Sequence, residues 1–68
     1  MLEQEIEDIK RRIVELQIEH RDLDDIIGRL SQEAAPDELQ LRRLKKRKLA
    51  LKDQMTQLQM RITPDIPA

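Results

Sequence analysis

The chain contains no cysteine, tryptophan, tyrosine or phenylalanine, and a single glycine, Gly28, in 68 residues. Without cysteine there is no disulfide framework and no thiolate metal site, and the composition suits a reducing compartment. Without aromatic side chains there is nothing to stack on a nucleic-acid base or to anchor at a lipid interface. With one glycine there is no glycine-rich loop to wrap a phosphate. No long hydrophobic run is present either. The opening MLEQEIEDIKRR is too polar for a secretory signal or a membrane span, so a cytoplasmic protein without a membrane segment is expected.

What the sequence does contain is charge and leucine on a strict period. Lys, Arg, Asp and Glu make up 40% of the chain, a level that suits disorder when periodicity is missing. Here apolar residues return at alternating steps of four and three, which argues for helices. Ile6, Ile13, His20, Ile27 and Ala34 fall at position a of a heptad, and Leu2, Ile9, Leu16, Leu23 and Leu30 at position d. The predicted first helix covers 2–32. The predicted second helix covers 37–62, with the stripe Leu41, Leu44, Lys48, Leu51, Met55, Leu58 and Ile62.

Between them, 33–36 is read as a loop. Pro36 has no N–H to donate and disfavours helix at Ala35, and it suits the first turn of a new helix. Either Ala35 or Asp37 is compatible with the cap. Pro64 and Pro67 end the periodic region, and 64–68 is expected to be a disordered tail. One single-domain unit, 1–63, follows.

The heptad phase survives the break, so one long helix in a parallel dimer is an alternative. It would place Pro36 inside a helix at a cost of about 3 kcal/mol. It would also set Glu19 against Asp24, Glu33 against Glu38, Arg47 against Lys52 and Lys48 against its own copy. Folding the chain back at residue 35 or 36 instead matches a residues to d residues along both stripes. The expected fold is therefore all-α: an antiparallel two-helix coiled-coil hairpin. Its core is thin, and the expectation includes self-association into a helical bundle, a homo-oligomer. The candidate interface is Leu2, Ile6, Val14, Ile18 and Leu49, which the internal seam leaves uncovered.

Charge is divided between the halves. Residues 1–33 carry a formal −5 and residues 34–68 a formal +4. Asp24 and Lys45 are expected to flank the seam with opposite signs. His20 and Lys48 interrupt the apolar stripes in neighbouring layers, so His20, Asp24, Lys45, Lys48 and Lys52 form a candidate polar cluster. Its simplest role is to fix register at some loss of stability; the sharper one is a binding or proton-responsive site. The basic run offers Arg42, Arg43, Lys46 and Arg47 as phosphate contacts, against a plainer reading as a solvated, salt-bridged face. No catalytic pair, cofactor site or metal set emerges: Ser31, the single serine, lies beside the loop, and there is one histidine.

Two blocks resemble a known family. Glu19-His20-Arg21-Asp22-Leu23-Asp24-Asp25-Ile26-Ile27 is similar to the EHxxLDxxI signature of the YdcH-like family. Leu41 to Asp53, LRRLKKRKLALKD, is similar to its LxxLKKxKLxLKD signature. Met55 stands where relatives usually carry isoleucine. The resemblance implies a small bacterial helical hairpin and supplies no reaction. The functional expectation is a non-enzymatic protein acting through protein contacts, with an unidentified partner; the alternative is a nucleic-acid-associated protein using the basic run.

Overall fold

A computed structural model describes residues 2–62. Two helices form a hairpin: α1, Glu3–Ser31, and α2, Glu38–Ile62, which lie against one another along their length. There is no strand among the described residues. The expected tail, 64–68, lies outside them.

Each helix is amphipathic because its apolar residues repeat at helical spacing. The stripes that face each other are those the heptads define. Ile9, Ile13, Leu16 and Ile27 of α1 are buried, as are Leu41 and Leu51 of α2; Leu16 is shut off from solvent entirely. Ile6, His20, Leu23, Leu30, Leu44, Lys48, Met55, Leu58 and Ile62 are half-buried on the same seam. Burying a full aliphatic side chain contributes roughly 1.5–3 kcal/mol, so these six buried residues, spread from Ile9 near the open end to Leu41 beside the turn, supply most of the packing.

Two seam positions of the expected heptad do not join it. Leu2 is the residue before α1 and is 71% exposed. Ala34 is exposed because α1 stops three residues earlier. Its last turn tightens: Gln32 N–H donates to the Arg29 carbonyl at 3.2 Å and Glu33 N–H to the Leu30 carbonyl at 3.3 Å. The Ser31 hydroxyl takes the Ile27 carbonyl at 2.6 Å. These bonds satisfy carbonyls that a helix end would otherwise leave open. No described residue has a positive φ, so the turn is made without a left-handed residue.

The start of α2 is settled by Asp37. Its carboxylate accepts the N–H of Gln40 at 3.1 Å, and its carbonyl accepts the N–H of Leu41 at 3.0 Å. That is N-cap geometry, worth about 1 kcal/mol. Pro36 therefore stands one residue before the cap and not in the first turn of the helix. The reason is that the aspartate side chain can bond the third helical amide, which an alanine cap at 35 could not do. At the other terminus Leu2 makes no side-chain cap, and Glu3 and Glu5 supply the negative charge that the α1 dipole favours.

Gly28 is exposed inside α1, has an ordinary negative φ, and an added Cβ would meet nothing within 4 Å. Neither turn geometry nor internal packing requires a glycine there. Gly28→Ala is expected to stabilise the hairpin by about 0.5–1 kcal/mol, read as a raised midpoint in thermal or urea unfolding followed by circular dichroism.

Candidate functional site

Among the described residues, the polar interruption of the seam is the one place where an ion pair joins the two helices. Lys48 stands on the inner stripe of α2, and Asp24 on α1 beside the inner stripe. Lys48 Nζ donates to Asp24 Oδ1 at 2.8 Å. The lysine side chain is 29% exposed and the aspartate 61%. The lysine stem thus fills a seam layer while its ammonium reaches the rim. The hydrogen bond and the charge of Lys48 hold the Asp24 carboxyl below the ordinary carboxylate range, with a smaller push in the same direction from His20.

His20 is half-buried on the seam, one helical turn before Asp24. Lys45 and Lys52 lie one turn to either side of Lys48 and are exposed. Asp24 takes Lys48, not Lys45, as its partner across the seam. Lys48 is level with Asp24, whereas Lys45 sits one turn nearer the loop. The five residues of the expected cluster therefore share a neighbourhood, but a single ion pair is what joins them. No described polar side chain is buried, so this layer is open at its edge and encloses no cavity. Among the described residues no group of three or more metal-ligating side chains converges.

The remaining described ion pairs stay within α1. Lys10 pairs with Glu7 and Arg11 with Asp8, each at 3.8 Å, and Arg12 pairs with Glu15 at 3.0 Å. Across the seam, among the described residues, only Lys48 reaches an acid on the other helix. Arg42, Arg43, Lys46 and Arg47 are exposed, with Arg42 and Lys46 on one flank of α2 and Arg43 and Arg47 on the other. The cause is geometric. Most of the acids of α1 and the bases of α2 occupy outer positions, too far round each helix to meet.

Of the candidate interface, Leu2, Val14, Ile18 and Leu49 are exposed, at 71%, 52%, 57% and 67%. Ile6 is half-buried at the open end. Three further large apolar side chains, Ile26, Leu39 and Met60, are exposed and were not anticipated. The signal was present: each lies outside the a and d positions of its heptad.

With this geometry in hand, comparison with known families is decisive on kinship. A family model described as Protein of unknown function (DUF465) matches residues 13–59. The chain belongs to the DUF465 family. The match spans both signature blocks, Glu19–Ile27 and Leu41–Asp53, and it agrees with the YdcH-like resemblance. DUF465 supplies no reaction to transfer, so the residues of this hairpin carry the functional argument. No curated protein and no solved structure matches the chain. Among the described residues no helix is long and apolar enough to cross a membrane.

The Asp24–Lys48 contact gives a signed pH expectation. A carboxylate whose pKa is lower folded than unfolded adds stability above the unfolded value, and that contribution is lost as pH falls through the folded value. Asp24→Asn should therefore lower the unfolding midpoint at neutral pH. The gap to the unsubstituted chain should close on acidification through the carboxylate range. Urea melts at a series of pH values check it, and a gap that persists in acid would contradict the assignment.

Proposed function

We propose that this chain is a non-enzymatic contact protein of the bacterial cytoplasm: a helical hairpin that works by packing against another polypeptide, including further copies of itself. The observation that supports this is the placement of its large apolar side chains. The seam is filled by its own residues, yet Val14 and Leu49, both more than half exposed, stand on the same side of the hairpin, with Ile18 close by. A few exposed apolar residues are normal; two helices presenting them on one side is the arrangement of an incomplete bundle. The absence of cysteine suits a reducing compartment.

A second reading is favoured by one finding: among the described residues Arg42, Arg43, Lys46 and Arg47 have no acidic partner. Arg42, Arg43, Lys46 and Arg47 are free to meet phosphates, and such binding would weaken steeply with salt through counterion release. It is the weaker reading because those four side chains point to opposite flanks of α2 and the chain has no aromatic residue.

Replacing Val14 and Leu49 together by serine tests the leading reading. Both side chains are largely exposed, so the melting midpoint should move little. Sedimentation equilibrium at rising protein concentration should show the unsubstituted chain above its 8.1 kDa mass, and the double variant nearer to it. Identical profiles for the two chains would remove the self-association.

A further inference from the structure

Leu49 is the most exposed large apolar side chain of α2, and three of its four neighbours one turn away, Lys45, Lys46 and Lys52, are basic, with Asp53 the fourth. Lys45 and Lys52 flank it on the same helix, and Arg42 lies two turns toward the loop on its own stripe. The Asp24–Lys48 contact sets the level of the two helices. It brings Arg21, one turn before Asp24, alongside Leu49 on the same side of the hairpin. Arg21, Arg42, Lys45 and Lys52 are all exposed. Of the acids on this side, Asp24 is held by Lys48, Asp53 accepts from Gln57 and Asp25 stands one turn after Arg21, so bases are in the majority. Asp22 is turned to the other flank of α1. The patch is bounded by Glu38 at the loop end and by Glu7, paired with Lys10, toward the open end.

The middle of this side is thus an apolar centre inside a predominantly cationic ring to which both helices contribute. A second copy presenting the same side would bring like charges together, so self-association through it is weaker than the docking of a helix of opposite charge. A nucleic acid would satisfy the cations but would leave Leu49 and Val14 facing phosphates. An amphipathic helix with acidic flanks satisfies both features. Its apolar stripe covers Leu49 and Val14, and its carboxylates lie beside Lys45, Lys52 and the two arginines, completing a three-helix bundle. We infer that this side of the hairpin is the docking site for an acidic amphipathic helix of a partner protein. The inference rests on the protein-contact reading above and names the chemistry of the partner.

The test uses the full chain and synthetic helical peptides of about 20 residues, long enough to run beside the exposed part of α2. Leucines follow one stripe, and the flanks carry glutamate, glutamine or lysine; duplex DNA is a fourth probe. Fluorescence anisotropy of a labelled peptide reads the affinity. The glutamate peptide is expected to bind best and the lysine peptide worst, with the glutamate affinity falling as salt rises. Lys45→Glu with Lys52→Glu should weaken the glutamate peptide about tenfold and strengthen the lysine peptide. Leu49→Ser should weaken all three peptides, with circular dichroism confirming that each variant keeps its helices.

Equal binding of the glutamate and lysine peptides overturns the inference, as do a failure of every peptide to bind and tighter binding of DNA than of the glutamate peptide. The two levels separate cleanly. If Leu49→Ser weakens the glutamine peptide while charge has no effect, the acidic partner is wrong and the contact reading stands. If Val14 and Leu49 alter neither peptide binding nor self-association, the contact reading itself falls.

Discussion

A pair of helices can shelter only the side chains that lie along the line where they meet. Each helix contributes one stripe, and the rest of its circumference is surface. Among the described residues that limit leaves six aliphatic side chains buried, with Leu16 alone fully enclosed. Every other feature follows from how the sequence lives with so narrow an interior. Large apolar residues in excess of the seam have to stand outside it. A polar residue placed on the seam is never far from solvent, so Lys48 can occupy a core layer without burying its charge. A deep pocket has no volume in which to form.

The same limit explains the behaviour of the charges. α1 carries nine acids and five bases and α2 two acids and eight bases, so the helices are opposite in net sign. Opposite sign is not the same as pairing. Within α1, neighbours three residues apart find one another, whereas across the seam only the residues beside the stripes come within reach. The attraction between the helices is therefore diffuse and screened by salt. It favours the antiparallel arrangement without tying it down at many points, and it leaves most of the basic side chains of α2 available to the outside.

How far the sequence revealed this depended on the kind of information involved. The seam was legible because period is a long-range regularity: Ile9, Ile13, Leu16, Ile27, Leu41 and Leu51 all lie where the heptads put them. The start of α2 was less so. Pro36 is a strong local signal, but the deciding bond, from Gln40 N–H to the Asp37 carboxylate, is a matter of side-chain geometry. Asp24 was expected near both Lys45 and Lys48 across the seam, and it is Lys48 that holds it; which of the two takes it depends on the offset between the helices, which cannot be read from either helix alone. The cationic ring around Leu49 was the least legible. Its members are separated along the chain, Arg21 from Lys45 by a helix and a turn, while the conspicuous run from Arg42 to Lys48 winds around both flanks.

The turn has a consequence for how the chain reaches this state. It is short, it needs no left-handed residue, and it stands between two helices whose first contacts are made by Leu30 and Leu41. Those contacts close the smallest loop in the molecule, while those joining Ile9 to the far end of α2 close nearly the largest. Loop-closure entropy grows with the length closed. Assembly is therefore cheapest beside the turn and advances outward, each layer shortening the search for the next. The hairpin zips from one end, and the end that closes last is also the first to fray. Local opening is therefore cheapest at the mouth beyond Ile9, where Leu2 is exposed and Ile6 half-buried.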